Sequence, residues 1–276
     1  RQDKQAIQPL LKLAGDKKEV VGRIHALWAL RGLGALSVGA IGDALTSGED
    51  NVVIHALRLC EARLKTHPEL LERIDVSRLT APELRFQWLL SQAHHPGWST
   101  KAGPRRLARA AVAACLTRPC DRWTRVALVA ACGRHGSVLL DELVSAWTGR
   151  DTVRFAELRQ LVGMIAETIG RHGNPREVAE ALAMFESGDG TNPAWLGVYL
   201  SGMAGLDTGL AGGGRSLGDP PGDFGRQRLD AMWARIIQWS VRPPEAGMGS
   251  VATKLLRSGP EGMVVPALIE QFNGGN

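Results

Sequence analysis

The stretch Val20-Val21-Gly22-Arg23-Ile24-His25-Ala26-Leu27-Trp28-Ala29-Leu30 returns as Asn51-Val52-Val53-Ile54-His55-Ala56-Leu57-Arg58-Leu59, so that His-Ala-Leu stands at 25–27 and again 30 residues later at 55–57. A fixed period of this size, filled with apolar residues at helical spacing, marks a chain of helical hairpins. One such hairpin is too small to bury its own apolar face, so its neighbours must complete the core. The recurrence therefore predicts an all-α fold, a right-handed α-solenoid of about six to seven stacked hairpins. Solenoids act mostly through surface shape, which points to binding and away from chemistry.

Working outward, the first helix of each hairpin keeps one register. Its core leucines are Leu27, Leu57, Leu89, Leu128 and Leu158, separated by 30, 32, 39 and 30 residues. The residue before the first four leucines is Ala or Trp (Ala26, Ala56, Trp88, Ala127), and Glu157 precedes the fifth; alternating large and small side chains are what close helix packing requires. The long interval holds His94-His95-Pro96-Gly97-Trp98, read as a loop insertion. Helices are predicted near 5–14, 19–33, 37–46, 51–65 and 68–75, and the same periodicity continues beyond them. Gly34, Gly48, Gly136, Gly149, Gly173 and Gly188 are read as left-handed C-caps, with Asp, Ser or Asn starting the helix that follows. Asn192 to Leu206 reads as helix, and Gly209 to Gly222, rich in Gly and Pro, as non-helical. Helix resumes at 225–241, near 249–257 and at 262–272. The whole of 1–276 is thus read as a single array with an exposed insertion at 207–224. A boundary between two subdomains at that insertion is the alternative.

The chain has 276 residues, 44% of them apolar, enough for a sizeable core. Charge interrupts the apolar runs before they reach membrane-spanning length, so no direct membrane insertion is expected. The chain opens on Arg1-Gln2-Asp3-Lys4 without an initiator Met and reads as a piece of a larger polypeptide. Its net charge of +5, from 33 basic and 28 acidic residues, is small and mostly scattered. That balance suits anionic surfaces only weakly. Of the four cysteines, Cys60 and Cys132 lie in apolar helical stretches as small hydrophobes. Cys115 and Cys120 bracket a helix end, where a disulfide in an oxidising compartment and two buried thiols are both open. No Cys-x-x-Cys occurs, which removes the zinc-ribbon, thioredoxin-like and haem-attachment motifs.

The hairpins resemble HEAT repeats of the armadillo-type fold. More narrowly, the succession resembles the HEAT region of large exported proteins of planctomycete-type bacteria, described as membrane-bound dehydrogenases with a c-type haem domain. The resemblance covers roughly 15–220. It is carried by Arg23 to Gly34, by His55 to Glu61, by Glu83-Leu84-Arg85-Phe86-Gln87, by Trp123 to Leu128, and by Gly205 to Leu217. In that family a sugar-dehydrogenase propeller precedes the HEAT region and a cytochrome domain follows it. The resemblance implies a non-catalytic scaffold or protein-docking module, a spacer between redox domains of an exported, periplasmic protein. Its partners would be neighbouring domains of the same polypeptide or another protein. Any haem c would belong to the cytochrome domain, and no cofactor is assigned to this segment.

Each chemical motif also has a plainer reading. Gly209-x-x-x-x-Gly214-Arg215-Ser216 is one substitution from a phosphate-binding loop, but it lacks the Lys and a strand feeding it. His25 and His55 are equivalent and point to a helix–helix seam; His94 and His95 are adjacent, so they point apart on any regular element and make a poor bidentate site. No metal-ligand spacing is seen. Asp141-Glu142 and Glu177/Glu180 read as helix-start carboxylates. Ser91, Ser145 and Ser201 lack the glycine elbow of a nucleophile. Most of the eight Trp, including Trp28, Trp88, Trp123, Trp147, Trp233 and Trp239, read as core. Trp98 and Trp195 follow turns and are the candidates for exposure as binding anchors. Arg105, Arg106 and Arg109 with Arg118, Arg122 and Arg125 could line a concave face formed by the second helices. This leaves a nucleic-acid binder of the DNA-alkylation-repair HEAT type as the alternative function. The plainer reading is a solvated surface with Arg–Asp bonds between repeats, Asp43, Asp50, Asp121 and Asp151 accepting. The candidate surface is therefore Trp98, Arg105, Arg106, Arg109, Arg122, Arg125 and Trp195.

Overall fold

The computed structural model describes residues 4–116, 118–147, 155–188, 192–219, 224–243 and 248–273. Among them there is no strand; helices pack in neighbouring pairs, consistent with an α-solenoid. Two compact units emerge, Arg1–Gly133 and Arg134–Asn276, and each is described by itself.

The first unit holds α1 (Ile7–Gly15), α2 (Val20–Gly32), α3 (Val38–Leu45), α4 (Asp50–Cys60), the short α5 (Glu69–Glu72), α6 (Pro82–Gln92), α7 (Gly103–Leu116) and α8 (Arg122–Cys132). One row runs α2 on α4, α4 on α6 and α6 on α8, while α1, α3 and α5 pack in turn behind it. The register predicted from the leucines is the register of this core. Leu27, Leu57, Leu89 and Leu128 are at most 1% exposed, and Ala26, Ala56, Trp88 and Ala127 beside them are buried as well. Each such leucine contributes about 1.5–3 kcal/mol of burial. Ser37 and Asp121 cap α3 and α8 through their side-chain oxygens, which accept from the amides of Ala40 and Thr124. Of the predicted C-caps, Gly34 and Gly173 have positive φ; Gly136 instead opens a helix, Gly188 is extended, and Gly149 lies outside the described residues.

The second unit holds α9 (Gly136–Ala146), α10 (Phe155–His172), α11 (Pro175–Ser187), α12 (Pro193–Gly212), α13 (Arg226–Val241), α14 (Met248–Leu255) and α15 (Glu261–Asn273). Here the glycine reading is corrected, because α12 does not stop at Leu206 but runs through Gly209 to Gly212. The glycines are the contact surface. A Cβ on Gly205 would lie 2.2 Å from the Gly163 carbonyl oxygen of α10, and one on Gly209 would lie 2.1 Å from that of Glu167. On the facing helix, a Cβ on Gly170 would lie 2.5 Å from the Leu206 carbonyl oxygen. Backbone meets backbone, and the helical propensity lost at each glycine is the condition of that approach. The segment after α12 is also anchored: Arg215 donates to the Gly173 carbonyl and Leu217 is fully buried. Residues 220–223 lie outside the described residues.

The carboxylates predicted at helix starts divide. α9 begins at Gly136, so Asp141 and Glu142 fall in its second turn, and Glu142 is buried. Glu177 does lie in the first turn of α11, and together with Glu180 of the next turn it also serves the start of α9. Glu177 accepts from the amides of Gly136 and Ser137, and the Ser137 hydroxyl donates to Glu180 Oε2 at 2.8 Å. Glu177 Oε2 is buried without a hydrogen-bond partner, and burial raises its carboxyl above the usual glutamate range. A carboxyl raised in the folded state binds more protons there than in the unfolded chain. It therefore weakens the fold at neutral pH, and the penalty fades as pH falls through the raised value toward the ordinary one. Glu177→Gln should accordingly raise stability at pH 7 by up to about 1 kcal/mol and flatten the stability–pH curve in the mildly acidic range. Urea titrations of both proteins between pH 4.5 and 7.5 measure this, and an unchanged slope would refute it.

No described helix is long and apolar enough to cross a membrane.

Candidate functional site

The register carries a second, polar message along the row α2, α4, α6, α8. The residue after the core leucine of one helix donates to the residue two before the core leucine of the next. Trp28 Nε1 donates to His55 Nδ1 at 3.0 Å, and Arg58 Nε donates to Gln87 Oε1 at 2.8 Å. The rings of Trp28 and His55 meet edge to face, their centroids 6.1 Å apart. Burial, then the positive Arg58, hold the His55 imidazole below the usual histidine range. It is therefore neutral with its proton on Nε2, as acceptance from Trp28 requires. The seam expected of His55 is thus a hydrogen-bonded one, while His25, its equivalent, is exposed. Between α4 and α6 the ladder is reinforced by Glu61, whose Oε1 accepts from Gln87 Nε2 at 3.0 Å and from Ser91 Oγ at 2.9 Å. The acceptors between these successive helices are thus the His55 imidazole, the Gln87 amide and the Glu61 carboxylate, where Arg–Asp pairs were expected. Asp121 is engaged with Thr124 of its own helix, and Asp151 lies outside the described residues.

At the next step the ladder changes character. The equivalent positions on α6 and α8 are Leu90 and Val126, and Val126 is 40% exposed. One turn before it, Trp123 is 64% exposed. This corrects the reading of Trp123 as core. α8 begins at Arg122, one residue nearer its leucine than α4 and α6 do, so Trp123 falls in a first turn that stands clear of the packed layer. The Arg122 guanidinium lies 5.6 Å from the centroid of the indole. In front of them a groove of about 570 Å³ crosses the three helices, lined by Asn51, Ile54, His55 and Arg58 of α4, Pro82, Glu83 and Phe86 of α6, and Asp121 and Trp123. It opens on the row of first helices, where the second helices had been expected to form the binding face.

The predicted anchors are not at this groove. Trp98 and Trp195 are 7% and 6% exposed. Trp98 sits in a tight 3-10 turn, Pro96–Ser99, and its Nε1 donates to the Gln92 carbonyl at 2.8 Å, folding the presumed insertion onto the end of α6. Trp195 lies flat over Gly188, where any Cβ would overlap its ring. Turn residues suggested exposure for both, but a ring that large can be stowed against a glycine or a helix end. Nor do the arginines converge. α7 and α8 form an antiparallel hairpin, and Arg106 stands about 15 Å of helix rise from the turn that carries Arg122. Arg105, Arg106 and Arg109 are exposed on α7, with Arg106 Nη1 2.6 Å from Glu72 Oε1. Arg125 turns inward, its Nη1 donating to the Cys120 carbonyl at 2.5 Å. Ser91 is fully buried and donates straight to a carboxylate with no imidazole between them. Gly209 lies inside a helix and so cannot open a phosphate loop. Among the described residues no group of His, Cys, Asp and Glu is placed to hold a metal ion.

Comparison with protein-family models, with curated proteins and with solved structures returned no match.

Proposed function

We propose that this chain is a protein-docking scaffold, a right-handed HEAT-type solenoid of about six to seven hairpins, whose groove on α4, α6 and α8 receives a segment of a neighbouring domain of the same polypeptide. The observation that supports this most is the exposed Trp123 beside Val126, placed where the cross-helix polar ladder gives way to apolar residues. An exposed Trp at the mouth of an apolar-floored groove is the kind of anchor that concentrates binding energy. The rim favours a polypeptide as occupant. The lining carries one cation, Arg58, against two carboxylates, Glu83 and Asp121, and His55 is neutral; a polyanion would need a stripe of positive charge. The resemblance to the HEAT region of exported dehydrogenase–cytochrome proteins supports a neighbouring domain as the source, with the chain working outside the cytoplasm as a non-catalytic spacer.

Hydrogen exchange tests this, comparing the 276-residue chain with the longer polypeptide that the resemblance implies. Amides of 82–90 and 122–126 should exchange at least about tenfold more slowly in the longer form. Trp123→Ala should abolish that protection while shifting the stability of the chain by no more than about 0.5 kcal/mol. Equal exchange in both forms would sink the proposal. A salt-dependent shift with duplex DNA that is lost in Arg106→Ala and Arg122→Ala would support the nucleic-acid reading instead.

A further inference from the structure

Behind Trp123, the turn joining α7 to α8 brings together two thiols that the groove does not use. Cys115 ends the buried face of α7 and Cys120 lies in the turn; they are 3% and 4% exposed. The Cys120 thiol points back at Cys115, its Sγ 3.6 Å from the Cys115 carbonyl oxygen, and the two thiols share a hydrogen bond. The other two cysteines behave differently. Cys60 and Cys132 donate to carbonyls of their own helices, Leu57 at 3.1 Å and Leu128 at 3.3 Å.

The turn is held so that this juxtaposition persists. Both carbonyls flanking the Cys120 Cα are taken by arginines from two helices: Arg85 Nη2 of α6 donates to Pro119 at 3.1 Å and Arg125 Nη1 of α8 to Cys120 at 2.5 Å. Arg85 is 1% exposed, and its Nε and Nη1 have no hydrogen-bond partner. Its positive charge acts on Cys115, where it favours a thiolate.

We propose that Cys115 and Cys120 are a site of covalent modification, an intramolecular disulfide formed by exchange with a small-molecule or protein disulfide. The Cys120 thiolate attacks the oxidant's S–S bond, forms a mixed disulfide and expels one thiolate. The Cys115 sulfur, losing its proton, then attacks Cys120 Sγ and expels the second. Two thiols of the chain are oxidised, one external disulfide is reduced to two thiols, and the two protons released are taken up by the leaving thiolates. Cys120 reacts first because its neighbours Arg118, Pro119 and Asp121 are exposed, so a local opening of the turn uncovers it. In the closed turn the Cys115 thiol is unreactive, since the shared hydrogen bond and burial raise it well above the usual thiol range. The inference is independent of what occupies the groove.

The test is peptide mapping after incubation with oxidised glutathione at pH 8, on the native chain and on chain refolded from urea in the same buffer. Trypsin leaves 110–122 as one peptide because Arg118 precedes Pro119. That peptide should become two hydrogens lighter and resist alkylation, while Cys60 and Cys132 are alkylated. Cys115→Ser and Cys120→Ser should each abolish the mass change, and the oxidised wild-type chain should melt a few degrees, roughly 3–8 °C, above the reduced one. The wild-type map needs no variant to fold. Alkylation of both cysteines at equilibrium, or a link from either of them to Cys132, would overturn the assignment.

Discussion

Gly205→Ala is expected to destabilise the second unit by about 3 kcal/mol, although the same change in an ordinary helix interior is worth up to about 1 kcal/mol in the opposite direction. The sign turns on what the new methyl meets. At Gly205 it would sit 2.2 Å from the Gly163 carbonyl oxygen, and at Gly209 2.1 Å from that of Glu167, both backbone atoms of α10. A side chain could rotate away, whereas a carbonyl inside a helix can move only if the helix does. Relief therefore requires α10 and α12 to separate along a seam on which Leu161, Val162, Ile165, Leu200, Met203 and Leu206 are all at most 2% exposed. Gly212→Ala is the internal control. It lies in the same helix with nothing within 4 Å of its Cβ position, and it should be neutral or stabilising by a few tenths to about 1 kcal/mol. Urea unfolding of the three proteins at one pH decides the matter, and a Gly205→Ala chain as stable as wild type would mean that the two helices do not approach so closely.

Arg23→Ala should cost the first unit about 2–4 kcal/mol. Arg23 is 5% exposed and stands four residues before Leu27, where α4 has Val53 and α8 has Thr124. Its Nε donates to the Ala14 carbonyl near the end of α1 at 3.1 Å, and its Nη1 to Ser47 Oγ in the turn before α4 at 3.1 Å. Ser47 also accepts from Arg78 Nη2 through its carbonyl at 2.8 Å, so two guanidiniums, Arg23 and Arg78, hold the turn before α4. Alanine would leave the Ala14 carbonyl without this bond and enlarge the cleft of about 760 Å³ that Arg23 helps to line. Arg23→Lys keeps the charge without the planar fork and should recover less than half of the loss. A denaturation midpoint for Arg23→Ala within error of wild type would show that the turns are held by other contacts.

Much of the first unit was legible because its information is local and periodic. Leu27, Leu57, Leu89 and Leu128 announced which face is buried, Ser37 where a helix begins, and the equivalence of His25 and His55 that a histidine belongs to the seam. Glycines and tryptophans misled, since what each does depends on the element across from it. Gly205 and Gly209 have the composition of a loop and the role of a contact surface. Trp98 and Trp195 follow turns yet are buried, and Trp123 sits in an apolar register yet is exposed. One signal for Trp123 was available: the cross-helix pair Trp28/His55 and Arg58/Gln87 becomes Leu90/Val126 at the next step, and an apolar pair on a solvent-facing ladder asks for a cover.

By itself the sequence determined that this protein is helical, which face of each first helix is buried, and in what register successive helices meet. Those properties follow from the spacing of apolar residues along one segment, and that spacing survives without knowledge of the neighbours. Only the tertiary structure decided which glycines are seams, which tryptophan faces solvent, that the groove lies on the first helices, and that Cys115 and Cys120 share a hydrogen bond. Each of these depends on distances between segments far apart in the chain, and such distances are set by packing that no single stretch of sequence encodes.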